Sequence, residues 1–308
     1  MPSENPLISV VIPAYNRRDS VLQLLRDVHQ QKGVAFETIV VDDCSPDDTV
    51  AAITAQFPNV KLLRNPVNGG PAVSRNRGIK EARGEYIVGF DSDVTLNDPT
   101  LLHRVAETFR EFPQTTGLAF RLLTPDGKTE DAPRWWHPVP IEQFAGERFE
   151  TYYFSGTGYA FRREAMLKAG LYPEILYMHY EEVELAYRIL DQGGYIVHCP
   201  HLPVLHHANP VASRSKIKVF YKPRNQVLVA LACYRWPQAV GYLVPRLVYN
   251  FTVSLLRGHP GEFIGAMASA WRLAPTILAN RSPLRRETWK RMKAMGRATN
   301  GAHAPGKP

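Results

Sequence analysis

An apolar, β-branched run at 7–14, LISVVIPA, opens the patterned part of the chain and predicts a strand covered on both faces. Val21, Leu24, Leu25 and Val28 follow at helical spacing, with Asp19 as the expected cap. A second strand, 36–41, ends in Asp42-Asp43. Ser45-Pro46-Asp47-Asp48 then has the form of a helix start: capping serine, proline at the first position, acids in the first turn. Val50, Ile53 and Phe57 give that helix its buried stripe, and 60–63 is a third strand. The turn at 65–71 feeds a helix running to Glu81. The next strand, 86–90, stops at Asp91-Ser92-Asp93. Strands and helices alternating in this way predict an α/β, doubly wound, mostly parallel sheet.

A helix from Asp98-Pro99 carries Leu101, Leu102, Val105 and Phe109 on one face, and a strand is expected at 116–123. Residues 124–148 lack a period and carry Trp135-Trp136-His137; a loop that long is functional or disordered. Beyond it are expected a strand at 152–162 around Ser155-Gly156-Thr157-Gly158, a short helix from Glu164, a helix over 177–192 closed by Gly193-Gly194, and two strands at 195–198 and 204–206. This gives an organisation of 1–213 as one domain, in halves 1–115 and 116–213, then a helical region at 214–298 and a disordered tail at 299–308.

Charge sharpens the last boundary. The net charge is +8, but 1–213 carries −7 and 214–308 carries +15. Arg235, Arg246 and Arg257 interrupt the apolar segments 227–232, 240–248 and 251–256. The longest charge-free run is about ten residues, short of the ~20 a spanning helix needs. Apolar faces with periodic arginines predict helices lying in an anionic bilayer interface, with an ordinary helical subdomain as the alternative. No nucleic-acid partner is expected. Cys44, Cys199 and Cys233 show no paired spacing, and residues 1–7 lack a signal-peptide pattern. Both point to a reducing, cytoplasmic setting.

The chemistry gathers at strand ends: Pro13-Ala14-Tyr15-Asn16, Asp42-Asp43, Asn68-Gly69-Gly70 with Arg75-Asn76, and Asp91-Ser92-Asp93. In an open α/β sheet these fall at the carboxyl edge, where ligands bind. Asp91 and Asp93 share one side of an extended chain and suit a hard divalent cation bridged to phosphate oxygens. Asp-x-Asp alone is also an ordinary turn. Together, the four strand ends offer what a nucleoside diphosphate requires. No G-x-G-x-x-G follows the first strand, which disfavours a dinucleotide-binding dehydrogenase.

The pieces SVVIPAYNR, IVVDDCSPDDT, NGGPAVSRNRG, GEYIVGFDSD, SGTGYAFRREAM and YMHYEEVELAYRI, in this order over 7–208, resemble the inverting glycosyltransferases of family 2. Their fold is GT-A, and the sub-pattern is most similar to rhamnosyltransferase-like bacterial members that build cell-surface polysaccharide. The resemblance implies a nucleoside-diphosphate sugar donor, a glycan or lipid-linked acceptor, and Mg2+ or Mn2+. It implies nucleotide contacts from Pro13, Tyr15, Asp42 or Asp43, Gly69, Gly70, Arg75 and Asp91. The metal falls to Asp91 and Asp93, with His206 at a position where relatives place a metal or phosphate ligand. Glu181-Glu182 stands where the family usually has Glu-Asp, and the resemblance implies that one of the two, Glu182 ahead of Glu181, is the general base. Trp135 and Trp136 are candidates for stacking on a sugar, or for core packing. Arg224-Asn225 resembles a pair that recurs after the catalytic domain of relatives, with no role assigned. The rival readings are a sugar nucleotidylyltransferase, which needs a glycine-rich basic loop where PAYNRRDS stands, and a non-catalytic nucleotide-binding protein with a basic interaction tail.

Overall fold

A computed structural model describes residues 6–207 and 216–296. The first half runs β1 (Ile8–Ala14), α1 (Arg18–His29), β2 (Phe36–Asp42), α2 (Thr49–Gln56), β3 (Lys61–Arg64), α3 (Pro71–Lys80) and β4 (Tyr86–Phe90). It continues through β5 (Val94–Thr95), α4 (Leu101–Glu111), β6 (Gly117–Leu123), α5 (Ile141–Phe144), β7 (Phe149–Glu150), β8 (Gly158–Arg162), α6 (Arg163–Lys168), α7 (Glu181–Asp191) and β9 (Ile196–His206). Four helices follow: α8 (Lys216–Cys233), α9 (Trp236–Leu256), α10 (Pro260–Ala279) and α11 (Arg286–Met295).

All nine strands form one sheet in the order β3-β2-β1-β4-β8-β6-β9-β5, with β7 against β9. The β3-β2-β1-β4 part is parallel, whereas β8 runs antiparallel between β4 and β6. The apolar strands have a core on each face. One face packs Val21, Leu24 and Leu25 of α1, Ile53 of α2, and Leu101 and Val105 of α4. The other packs Ala72 and Ile79 of α3, Met166 of α6, Leu185 and Ile189 of α7, and Leu228 and Val229 of α8. Parallel strands covered on both faces leave the ends of the sheet open, and the carboxyl edge bears the polar residues of the site.

Several boundaries differ from the sequence pattern. Asp19 lies in the first turn of α1 and does not cap it. Ser45 does not cap α2, which starts at Thr49; its hydroxyl instead accepts the Asn16 N–H at 3.0 Å, joining two strand ends. The strand expected at 152–162 is ordered as such only in β8, because Ser155 and Gly158 close a tight turn. The two closing strands are one, β9, whose pairing with β6 shifts register after Phe120. The helix expected from 177 begins at Glu181; Tyr177, His179 and Tyr180 all have positive φ (62°, 67° and 73°). A helix cannot run through left-handed residues.

In the C-terminal region α9 is a single helix of 21 residues, long and apolar enough by length and composition alone to cross a membrane, with 11% of its apolar window buried. Arg246 breaks the run but not the helix. The tail expected to be disordered at 299–308 lies outside the described residues.

Candidate active site

The ends of β1, β2 and β4 open into a cleft of about 270 Å3. Pro13 and Tyr15, Asp43, Gly70, and Asp91 with Asp93 all line it, joined by His206 from the far end of β9. Asp42, Gly69, Arg75, Glu181 and Glu182 do not reach its wall. Asp42 is fully buried, its carboxylate accepting the Ser45 N–H at 3.1 Å. Asp43 is occupied too: it accepts the N–H of Gly69 at 3.1 Å, the N–H of Gly70 at 2.7 Å and the Asn65 amide at 2.7 Å. It therefore shapes the glycine turn as well as facing the cleft. Gly70 has φ +82°, and a Cβ there would lie 2.7 Å from the Tyr177 ring, so no other residue fits.

Arg75 ties the charged groups together behind the cleft wall. Its guanidinium, 3% exposed, lies 2.6 Å from Asp91 Oδ1, 3.4 Å from Glu181 Oε1 and 3.5 Å from Glu182 Oε1. Burial works against its charge, but the surrounding anions, Asp91 foremost, hold it firmly protonated. Asp91 also accepts from the Thr157 hydroxyl at 3.2 Å. Burial pushes the Asp91 carboxyl up, and Arg75 and His206 more than reverse this, leaving it below the ordinary range. Asp93 is raised, by burial and then by the charge of Asp91.

The two glutamates behave differently from Asp91. Burial raises Glu182 despite Arg75, and burial together with the Glu182 charge raises Glu181 well above its ordinary value. Glu182 accepts the Gly156 N–H at 3.2 Å, whereas Glu181 Oε2 is buried without a partner among the described residues. Gly156 is obligatory here, since a Cβ would meet Arg75 Nη2 at 2.1 Å and Glu182 Oε1 at 2.6 Å. The Ser155-Gly156-Thr157 turn is thus a site of close approach to the charged cluster, and only Gly158 of the motif belongs to β8.

His206 Nδ1 lies 2.6 Å from Asp131 Oδ2, and its Nε2 lies 3.7 Å from Asp93 Oδ1. The Asp131 carboxylate at Nδ1 orients the ring and turns Nε2 towards Asp93, the arrangement found behind metal-binding histidines. Among the described residues no group of three or more His, Cys, Asp or Glu side chains is placed to hold an ion unaided. One or two carboxylates completed by phosphate oxygens is the donor set that Mg2+ and similar hard cations take, so Asp91, Asp93 and His206 fit such an ion shared with a ligand.

Sequence reasoning missed Asp131 and Arg134, which the irregular loop carries to His206 and to the cleft. The loop's length was the one signal. It also left Arg224-Asn225 unassigned. Arg224 Nη2 donates to the carbonyls of Ile175 and Leu176, and Asn225 Nδ2 to those of Leu176, Met178 and His179. The pair clamps the left-handed segment that aims α7 and its glutamates. Trp135, half-buried, lies against His137, Phe149 and His198; Trp136 lies against Tyr153 and Tyr180 and packs on the core.

A sequence profile described as Glycosyl transferase family 2 matches residues 9–170. The succinoglycan biosynthesis protein ExoO of Rhizobium meliloti is 41% identical over 103 residues, covering 33% of this chain and 29% of that protein. This chain thus spans about a third of the length of the curated relatives it matches. The fold is GT-A. It superposes with a TM-score of 0.61 on Staphylococcus aureus TarS 1-349 in complex with UDP-GlcNAc, at 20% identity over 95% of this chain and 90% of that one. With mannosyltransferase PcManGT of Pyrobaculum calidifontis, in complex with GDP-Man and Mn2+, the TM-score is 0.58 at 18% identity, over 97% of this chain and 87% of that one.

Proposed function

The chain belongs to glycosyl transferase family 2, and from that premise we propose that it moves a sugar from a nucleoside diphosphate to a hydroxyl of a glycan or lipid-linked acceptor, with inversion, in the synthesis of a cell-surface polysaccharide. The observation that carries this reading is Arg75: one buried guanidinium touches both Asp91, on the cleft side, and Glu182, at the start of α7. The diphosphate side and the base side are joined by one cation.

Within that frame the chain's own groups have distinct tasks. Tyr15, 47% exposed, and Pro13 flank the nucleoside, and the Asp43-braced Gly69-Gly70 turn allows backbone to approach the donor closely. Asp93 and Asp91, with His206 beside them, would hold Mg2+ or Mn2+, which supplies Lewis-acid neutralisation of the departing diphosphate. Glu182 takes the proton of the incoming acceptor hydroxyl; its burial raises its basicity. One displacement by an outside hydroxyl inverts the anomeric centre and requires no nucleophile from the protein. Glu181 holds Arg75 in place from the other side.

The neighbours determined with UDP-GlcNAc and with GDP-Man and Mn2+ support a nucleoside-diphosphate donor and a divalent ion. A hexosyl or rhamnosyl donor rests on the motif resemblance alone. We assign catalysis to 1–213 and propose that the basic region at 214–298 seats the protein peripherally on the cytoplasmic face of a membrane, where lipid-linked acceptors are presented. The deciding experiment is a thermal-shift screen of nucleotide sugars with and without Mn2+. Ligand bound only by the folded chain raises its stability. A Tm rise that one nucleotide sugar gives only with metal supports the proposal, and no rise with any member of the set defeats it.

A further inference from the structure

A second cavity, of about 520 Å3, lies between α7 and the C-terminal helices, a volume within the roughly 300–1,000 Å3 of small-ligand sites. Its wall is aromatic from both sides. Trp136, Tyr153 and Tyr180 come from the catalytic half, and Tyr242 and Trp289 from α9 and α11. The Trp136 ring lies 5.3 Å from Tyr180 and 5.7 Å from Tyr153. Arg246 and Lys293 also line the cavity, and each faces a ring: Arg246 over Tyr242 at 3.8 Å, Lys293 over Trp289 at 5.8 Å.

The polar groups narrow the ligand class. Trp289 Nε1 is buried with no hydrogen-bond partner among the described residues, and a buried donor left unpaired is costly. The Tyr187 and Tyr234 hydroxyls, 3.1 Å apart, add donors and acceptors to the same wall. Hydrocarbon would leave the Trp289 N–H unsatisfied. A pyranose satisfies both parts, with its C–H face on an aromatic ring and its hydroxyls on the indole and phenol groups. The position fits as well: Tyr180 directly precedes Glu181-Glu182.

We propose that this cavity seats the sugar end of the acceptor, so that the C-terminal helices complete a substrate site in addition to any role at a membrane. The assignment rests on the transferase reading of the neighbouring cleft. It is tested on the full chain with an array of bacterial surface oligosaccharides, each retained glycan then being titrated in solution against wild type, Trp289→Ala, Tyr242→Ala and Trp289→Phe, the last keeping the ring and losing only the N–H. Binding should weaken at least tenfold in the alanine variants and measurably in Trp289→Phe, while the Tm rise given by nucleotide sugar with Mn2+ stays at the wild-type value. Titrations within twofold of wild type, an array that retains nothing, or native mass spectra showing a lipid held by wild type and lost in Tyr242→Ala would each overturn the cavity assignment. Glycan binding without any nucleotide response would instead remove the transferase reading and leave the cavity standing.

Discussion

Asn225 Nδ2 lies 2.7 Å from the carbonyl oxygen of His179, a residue held at φ +67°. The same amide reaches Leu176 and Met178, so two N–H groups serve three carbonyls of one strained segment. Asn225→Ala should cost about 1–3 kcal/mol, the penalty for carbonyls left without donors. Asn225→Asp should be worse, because a carboxylate would face the same oxygens. Thermal melts rank the two variants. Equal melts for wild type and Asn225→Asp would mean that the clamp carries no load.

Glu182→Gln keeps the shape of the side chain and removes the base. Turnover is expected to fall by about 10^2–10^4, with the Mn2+-dependent nucleotide shift retained. Because burial raises Glu182 above 4.5, wild-type kcat should decline on the acid side as that carboxylate takes up a proton. Glu182→Gln should lack that limb. An unchanged rate in the variant removes Glu182 from the chemistry.

Glu181 is 3% exposed with one oxygen unpartnered among the described residues, and its folded pKa is raised well above 4.5. A raised carboxyl pKa means the folded state binds the proton more tightly, so stability is highest below the unfolded value and is lost as pH climbs through the folded one. Glu181→Gln should therefore melt higher than wild type at pH 8, by about 2 °C for each kcal/mol recovered. The gap should close as pH falls towards 4.5. A gap that is the same at both pH values would show that the charge is not the cause.

Asp93→Asn should abolish the part of the nucleotide thermal shift that depends on Mn2+ while leaving the metal-free melt close to wild type, since Asp93 lies 18% exposed at the cleft. Retention of the full metal-dependent shift would place the ion elsewhere.

On α9 the exposed residues Val240, Val244, Val248, Phe251 and Leu255 form one helical stripe. Replacing the three valines by serine should reduce flotation of the full chain with phosphatidylglycerol vesicles, each buried valine contributing roughly 1.5 kcal/mol. High salt should weaken what remains by screening the basic groups. Flotation indifferent to both changes would rule out docking through this helix.

The strands, the helices that cover them, and the order of motifs along 7–208 were legible without coordinates, because apolar periodicity and the residues at strand ends are local properties. The pattern therefore gave the sheet class and the family. What it could not contain was any distance between residues far apart in sequence. Ser45 reads as a helix cap yet bonds Asn16, and Asp43 reads as a ligand contact yet also braces Gly69 and Gly70. Arg75, Asp91, Gly156 and Glu182 lie within hydrogen-bonding or ion-pair reach only because α3, the end of β4, the turn before β8 and α7 converge. Similarly, three positive-φ residues before α7 need a clamp from α8, and α9 is continuous despite Arg246. The chain's own order determined which elements form. Burial decided the rest, since it took those charges out of water and made each depend on a partner that only the packed fold supplies.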